Sequence, residues 1–339
     1  MLIDMHAHVI PGDFPGAADE GWPRVGPQAA DGTRLFESGP VRYPAKEVWF
    51  EAERRIAAMD AHGVDAEVVS PFPPLLNYTL PAKRGRDLCR HINESIAALR
   101  QADPRRIFGF GTVPLQDPDL AAEELPEIKA MGLQGVEIGS NIDGVSLGDE
   151  RLLGFFAEAE RLRIPFFVHA LNPTFAERLP AAAYPTFGFA TDIALAAASI
   201  TTGGTAEKLP NLLMAFSHGA GGFPLMLTRA EFFWRGTWDE RPPPDGKPAG
   251  PAHAALPRAP SEYARRFYYE TMIFDRRAMR YLVDMIGPER LLIGTDFPAI
   301  SREQPAGKTI RALDLPPADL ENITWHNCFR FLGIIPPQP

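Results

Sequence analysis

The sequence predicts a (β/α)8 barrel of the TIM type, formed as a single domain over residues 1–339. Short apolar runs rich in Val, Ile and Phe alternate with longer segments of helical periodicity, and eight such runs can be counted. An open, doubly wound sheet is the main alternative, but it would normally carry a Gly-rich GxGxxG turn after an early strand, and the sequence has none. A closed barrel is therefore favoured.

The predicted strands follow one another at the spacing of βα units. In chain order they cover residues 2–5, 66–70, 107–113, 135–138, 164–168, 212–216, 267–269 and 291–294. The seventh is the weakest of them. Helices are predicted over 48–61, 85–102 and 118–131, and the first ends at His62-Gly63, because glycine commonly caps a helix C-terminus.

Two segments rich in Gly and Pro interrupt the repeat, at about 11–44 after strand 1 and at about 238–260 between strands 6 and 7. Both are predicted as long loop insertions, which in compact domains tend to be lids, interface arms or disordered segments. They do not separate domains, because the repeat resumes after each.

Composition excludes some classes of function. A net charge of −9 and a pI near 5.5 argue against nucleic-acid binding, which needs a clustered excess of Lys and Arg, but allow a small anionic substrate. Cys89 and Cys328 are far apart, so neither a disulfide framework nor a thiolate zinc site is indicated. With no basic leader and no run of about 18 apolar residues, we expect a cytoplasmic protein without membrane contact.

The candidate chemistry begins with His6 and His8, which flank Ala7 directly after the first apolar run. Alternation along a strand points both imidazoles to the same side, where two neutral rings form a half-site for zinc or a similar metal. An HxH pair alone is a modest signal, since such pairs also occur by chance on exposed strands.

Three further residues strengthen this interpretation. His169 ends the fifth run, His218 follows the sixth and Asp296 follows the eighth. The C-terminal ends of barrel strands are the face where barrel enzymes build their sites. Each residue alone also has a structural interpretation, such as a buried core histidine or a helix cap, but chance placement of the whole set is hard to credit.

The ordered set of motifs resembles the amidohydrolase superfamily. The segments that carry the resemblance are HxH at 6–8, VHA at 168–170, SHGAGGFP at 217–224 and GTDFP at 294–298. More narrowly, they look like the branch of aminocarboxymuconate semialdehyde decarboxylase and related non-oxidative aromatic acid decarboxylases. The similarity extends over nearly the whole chain.

By this resemblance, four residues match the ligands of one divalent metal: His6, His8, His169 and Asp296. His218 matches a catalytic histidine outside the ligand set. Other branches of the superfamily carry a lysine on strand four that, once carboxylated, bridges two metals, and residues 135–139 contain no lysine. We therefore expect one metal per subunit, Zn²⁺ first, with Mn²⁺, Co²⁺ or Fe²⁺ as alternatives.

The resemblance also implies substrate-binding residues. Arg55 and Arg229 stand where two arginines of the semialdehyde enzyme grip substrate carboxylates, the second donated by a neighbouring subunit, which implies a homodimer or higher homo-oligomer. A forked guanidinium suits a carboxylate. Phe72 and Asn77, just past the second strand, are further candidates to line the pocket.

The implied activity is metal-dependent, non-oxidative decarboxylation of a cyclic or conjugated unsaturated acid, such as a hydroxylated aromatic or muconate-type acid, with His218 and Asp296 moving the proton. Residues 169–173 read HALNP where that branch has His-Pro-Trp, which leaves the substrate open. One alternative is a metal-dependent hydrolase or hydratase of the same fold, acting on a lactone, an amide or an unsaturated dicarboxylate. Another is a catalytically silent barrel that only binds a partner.

Overall fold

The computed structural model describes residues 1–16, 21–234 and 256–336, and its centre is a barrel of eight parallel strands. The strands are β1 (Ile3–Val9), β2 (Ala66–Pro71), β3 (Ile107–Gly111), β4 (Gly135–Gly139), β5 (Phe166–His169), β6 (Met214–Phe216), β7 (Tyr268–Glu270) and β8 (Leu291–Leu292). Each strand pairs with the next along the chain. The predicted fold is confirmed.

Backbone hydrogen bonds close the barrel between its last and first strands. The N–H of Met5 donates to the carbonyl of Ile293, and the N–H of Asp296 donates to the carbonyl of His6, each at 2.7 Å. The segment that carries Asp296 is therefore held directly against the part of β1 that carries His6.

The helices surround this barrel. They are α1 (Ala52–His62), α2 (Ala82–Arg100), α3 (Pro118–Ala130), α4 (Leu153–Leu162), α5 (Phe189–Thr202), α6 (Phe223–Trp234), α7 (Arg276–Ile286) and α8 (Asn327–Leu332). Four shorter ones cover Thr205–Lys208, Pro260–Ala264, Lys308–Arg311 and Pro317–Glu321. As predicted, α1 ends at Gly63, which adopts φ 69°, a left-handed conformation that glycine tolerates. Within the described residues, no helix is both long and apolar enough to cross a membrane.

Strand β1 is longer than predicted and irregular. It continues to Val9, so His6 and His8 lie inside the strand rather than after it. The pairing with β2 shifts register between Asp4 and Ala7. Such an irregularity changes which side chains face inward. Met5 thus packs in the apolar interior, while His6, the next residue, also faces the interior of the barrel.

The N-terminal end of the barrel is filled with apolar side chains and closed by α8. Phe331 of α8 packs its ring 5.0 Å from that of Tyr268, and Phe329 packs 6.1 Å from Phe108, measured between ring centroids. This end is a packed core, as expected for a barrel of eight strands. Within the barrel, this packing leaves the opposite, C-terminal end as the place for a functional site.

The first predicted insertion is more ordered than a long loop. Within residues 11–44 and just beyond, Arg24–Val25, Arg34–Ser38 and Val41–Ala45 form a three-stranded antiparallel sheet. Its strands are short and lie in a Gly- and Pro-rich stretch, which hides the period of two in the sequence. Most of the second predicted insertion, residues 238–255, lies outside the described residues.

Candidate active site

Five ionisable side chains meet at the C-terminal end of the barrel, as the sequence predicts. His6 Nε2 and His8 Nε2 lie 3.1 Å apart, and Asp296 Oδ1 lies 3.5 Å from the first and 3.1 Å from the second. The ring of His169 lies 4.9 Å from each of these two imidazoles, and the ring of His218 lies 5.2 Å from that of His169. Four separate strand ends thus supply one cluster.

The cluster is buried but reachable from one side. His6 and His8 have no exposed surface, and His169 is 5% exposed. The side chains of His218 and Asp296 retain 13% and 12% exposure. These two residues therefore face the opening, and the other imidazoles lie beneath them.

The donor atoms fit a divalent metal. Nε2 of His169 and Nε2 of His218 are buried and have no hydrogen-bond partner in the described part of the chain. A buried imidazole nitrogen without a partner is costly unless something coordinates it. Imidazole and carboxylate donors suit zinc and similar first-row metals. The site thus has the composition of a divalent-metal centre.

The geometry does not by itself choose the ligands. One set whose ligating atoms all lie within 4.8 Å of one another is His6, His169, His218 and Asp296. His8 is also close, because its Nε2 is 3.1 Å from both His6 Nε2 and Asp296 Oδ1. The predicted ligand set with His8, and His218 outside it, stays a prediction.

Burial prepares two of the three predicted imidazole ligands for metal binding. Burial and the nearby ring of His169 hold the pKa of His6 well below its ordinary value, and burial and the nearby ring of His8 do the same for the pKa of His169. For His8, burial is outweighed by the carboxylates of Asp296 and Glu137, which raise its pKa. His6 and His169 are therefore neutral at pH 7, as a metal ligand must be.

Two of the five residues have an unusual backbone conformation. His218 adopts φ 54° and Asp296 adopts φ 58°, in the left-handed region that non-glycine residues rarely occupy. The turn after β6 is also tightly packed, because a Cβ on Gly221 would lie 1.8 Å from the carbonyl oxygen of Ala190. Conformations of this kind cost of order 1–3 kcal/mol each and cluster at functional sites.

Two buried carboxylates beside the cluster are absent from the sequence-based prediction. Glu137, in β4, has its Oε2 3.8 Å from His8 Nδ1, and neither oxygen has a hydrogen-bond partner among the described residues. Glu270, which ends β7, has its Oε1 3.5 Å from His6 Nδ1. Burial raises the pKa of Glu137 to about 7 and that of Glu270 to about 8. The signal for Glu137 was a charged residue inside a short apolar run, and the signal for Glu270 was a charged residue directly after one.

Arg55 lies in a buried ion-pair network rather than in the open part of the site. Its Nη1 donates to Glu67 Oε2 at 2.6 Å, and its Nη2 donates to the carbonyls of His8 and Val48. Glu67 also pairs with Arg302, and Arg55 has no exposed surface. This arrangement does not favour the predicted contact with a substrate carboxylate. It ties the end of β1 to α1 and β2.

The two pocket residues predicted after β2 differ in placement. Phe72 packs its ring 6.2 Å from that of His8 and forms a wall beside the cluster. The side chain of Asn77 is already hydrogen-bonded, since its Nδ2 donates to the Gly21 carbonyl in the first insertion at 3.1 Å and its Oδ1 accepts from Thr79. Phe72 is thus placed to line a pocket, and Asn77 is not favoured for that role.

Tyr43 is a wall residue that the sequence did not reveal. It lies in the third strand of the antiparallel sheet, inside the segment predicted as a loop. Its ring lies 5.2 Å from the rings of both Trp49 and Phe72. Burial and the negative charge of Asp296 raise the pKa of its phenol. Aromatic side chains therefore border the cluster.

Arg229 lies on α6, away from these contacts. Its guanidinium stacks over Phe233 at 4.8 Å from the ring centroid. On the same helix Leu225 is 65% exposed and Phe232 is 44% exposed. Arg229 therefore belongs to an exposed, partly apolar helix face.

Comparison with known proteins agrees with this arrangement. Residues 3–334 match the family model described as Amidohydrolase. The 2-amino-3-carboxymuconate-6-semialdehyde decarboxylase of Dictyostelium discoideum is 28% identical over 99% of this chain and 92% of its own length. The gamma-resorcylate decarboxylase of Rhodococcus jostii is 30% identical over 72% of this chain and 76% of its own.

A solved structure shows the same fold with a metal bound. The dihydroxybenzoic acid decarboxylase from Polaromonas sp. JS666, crystallised with manganese and the inhibitor 2-nitroresorcinol, superposes with a TM-score of 0.70. It is 25% identical to this chain, and the match covers 83% of this chain and 85% of that one. With a family model that spans almost its whole length, this chain belongs to the amidohydrolase family.

Proposed function

We propose that the protein is a metal-dependent, non-oxidative decarboxylase of a hydroxylated aromatic or similar conjugated acid. The observation that carries this proposal is the convergence of three imidazoles and Asp296 beside His218 at the open end of the barrel. The relatives that match nearly the whole chain, or two thirds of it, are named as decarboxylases. A hydrolase or hydratase would use similar groups, so activity must separate the two.

The metal would be held by four residues: His6, His8, His169 and Asp296. When bound, a divalent metal supplies Lewis-acid polarisation of a substrate oxygen. Three nitrogen donors and one carboxylate suit Zn²⁺, which is the proposed ion, although the Polaromonas enzyme contains manganese. Metal analysis of the purified protein distinguishes these ions and also Co²⁺ and Fe²⁺.

The proton step uses the two residues at the opening. His218 Nε2 lies 4.0 Å from Asp296 Oδ2, which is beyond direct transfer, so a proton would pass between them through the bound substrate or one intervening water. The proton forms a C–H bond at the carbon that carries the carboxylate. The C–C bond to that carboxylate then breaks, its electron pair returns to the ring and carbon dioxide leaves. The proton is replaced from solvent, which both residues can reach.

Aromatic walls favour a flat substrate. Phe72 packs beside His8 and Tyr43 packs against Phe72, and aromatic rings pack well in offset or edge-to-face contact at 4.5–7 Å. The hydroxyl of Tyr43 adds a polar group to this wall. A hydroxylated aromatic acid matches both the apolar faces and the polar tip.

Release of carbon dioxide from a panel of acids tests the proposal. The panel contains hydroxylated benzoates, hydroxypicolinates and aminocarboxymuconate semialdehyde, incubated with metal-loaded protein and with protein treated with a chelator. We expect carbon dioxide from at least one acid, only with metal present. No release from any acid, together with hydrolysis of a lactone or an amide, would favour the hydrolase.

The working form is proposed to be a cytoplasmic homo-oligomer in which Arg229 serves a neighbouring site. The exposed apolar residues around Arg229 on α6 support a protein contact there. The two thiols, Cys89 and Cys328, are free and buried, which suits a reducing compartment. Co-assembled Arg229→Ala and His218→Ala subunits should recover activity if sites are shared, and no recovery would count against sharing.

A further inference from the structure

One buried carboxylate contacts both a predicted metal ligand and the predicted proton-moving residue. Glu270 ends β7 and has no exposed surface. Its Oε1 lies 3.5 Å from His6 Nδ1 and accepts the backbone N–H of His218. Its Oε2 accepts the backbone N–H of Met272 at 2.6 Å. A single side chain thus joins the end of β1 to the turn after β6.

The chain makes room for this carboxylate at Gly294. A Cβ built there would lie 2.3 Å from Glu270 Oε2 and 2.9 Å from its Cβ, so any side chain at this position would displace the carboxylate. Gly294 stands two residues before Asp296. The segment that supplies the cluster with a carboxylate is therefore also shaped around Glu270.

The position of Glu270 favours one tautomer of the neutral His6 ring, with the proton on Nδ1. A neutral imidazole carries its proton on one nitrogen and binds a metal through the other. His6 Nε2 faces His8 Nε2 and Asp296 Oδ1, inside the cluster. Glu270 Oε1 lies 3.5 Å from the opposite nitrogen, Nδ1, which is buried and has no hydrogen-bond partner among the described residues. A proton held on Nδ1 leaves the Nε2 lone pair free for a metal.

His8 does not need such a carboxylate. Its Nδ1 lies 3.0 Å from the carbonyl oxygen of Pro71, which accepts the proton in the same way. Glu137 lies farther away, with Oε2 at 3.8 Å from His8 Nδ1. Glu137 and Glu270 are both fully buried, the first beside His8 and the second beside His6. For His8 Nδ1 the Pro71 carbonyl is nearer than Glu137, whereas for His6 Nδ1 the nearby carboxyl is that of Glu270.

We propose that Glu270 is a positioning residue that fixes His6 with Nε2 free for the metal and holds the backbone at His218. This inference rests on the proposed metal site, because it assigns the residue that prepares one of its ligands. It requires no contact between Glu270 and the substrate. Its effect is on metal affinity first and on turnover second.

The test is Glu270→Gln, which keeps the shape of the side chain but can place an amide donor opposite His6 Nδ1. Glu137→Gln is the matched control, since it also removes a buried carboxyl behind a ligand. Residues that hold the second ring nitrogen of a metal-bound histidine typically contribute about 10–100-fold to metal affinity. Competition with a chelator should therefore show a loss of metal affinity at least tenfold larger for Glu270→Gln than for Glu137→Gln. Equal losses, or a larger loss in Glu137→Gln, would overturn the proposal.

A second measurement is independent of metal and of catalysis. Nitrogen–proton correlation spectra of the histidine rings in metal-free protein should show the His6 proton on Nδ1 in the wild type and in Glu137→Gln, and on Nε2 in Glu270→Gln. If Glu270→Gln does not fold, Gly294→Ala displaces the same carboxyl group without replacing it by an amide and should also move the His6 proton away from Nδ1. An unchanged His6 ring in the folded variant refutes the inference, even if decarboxylation of the acid panel is never found.

Discussion

Replacement of Arg55 by Met separates a structural role of this residue from a substrate-binding one. The substitution removes the 2.6 Å contact to Glu67 and the donors to the His8 and Val48 carbonyls. Breaking a buried ion pair by removing one partner costs about 3–5 kcal/mol, and because Glu67 keeps Arg302, we expect the lower end, about 3 kcal/mol. For 339 residues this corresponds to a loss in Tm of about 4 °C.

The assay is thermal unfolding of metal-loaded protein, with Arg54→Met as the control. Arg54 is the neighbouring residue, its side chain is 60% exposed, and it pairs with Glu47 at the surface. Exposed pairs contribute about 0–1 kcal/mol, so the control should shift Tm by about 1 °C at most. If Arg55→Met unfolds like the control but raises KM for the acid about tenfold at unchanged kcat, Arg55 binds substrate and the structural role is refuted.

Three further predictions concern stability. The pKa of Glu137 is raised to about 7 in the folded chain from an ordinary 4.5, so the stability that its protonated form contributes is present below pH 4.5 and is lost as pH rises to 7. In urea unfolding of metal-free protein, the free energy of unfolding of Glu137→Gln should therefore rise relative to the wild type by up to about 3 kcal/mol over that pH range. A difference that does not change with pH would contradict this. Gly294→Ala should lower the free energy of unfolding by about 1–3 kcal/mol, because the new Cβ would lie 2.3 Å from Glu270 Oε2. The control is Gly154→Ala in α4, where the new Cβ has nothing within 4 Å, and it should be neutral or stabilising by up to about 1 kcal/mol. Removing the metal with a chelator, starting from free metal at about 100 times its Kd, should lower the free energy of unfolding by about 2.7 kcal/mol. A Tm that is the same with and without metal would exclude a tightly bound ion.

The barrel could be predicted from the sequence because each of its strands is buried on both faces. Runs such as IFGFG at 107–111 are apolar throughout, and the alternation with helices leaves few other topologies. The antiparallel sheet at 24–45 was missed, since short strands with one exposed face and turn residues nearby give only a weak pattern. This sheet matters for the site because it packs Tyr43 against Phe72, which lies beside His8.

The candidate cluster could be predicted because its residues lie at or just after the C-terminal ends of four of the eight strands. Its supporting residues could not, since sequence spacing does not say which way a side chain turns. Arg55 lies on a helix face that is buried, and its charge gives no sign of this. Glu270 directly follows the weakest of the predicted strands, and the register shift in β1 that turns Met5 and His6 inward has no local signature.

The metal content of two variants, His8→Gln and His218→Gln, decides which residues bind the metal at the C-terminal end of the barrel. Both variants are purified, loaded with metal and analysed under the same conditions. We predict that His218→Gln keeps about one metal per subunit while losing carbon dioxide release by about 10²–10⁴-fold, and that His8→Gln retains well under one. The opposite result, with metal lost in His218→Gln and kept in His8→Gln, would make His218 a ligand, as the 4.8 Å grouping of His6, His169, His218 and Asp296 allows. It would contradict the proposed division between metal binding and proton transfer.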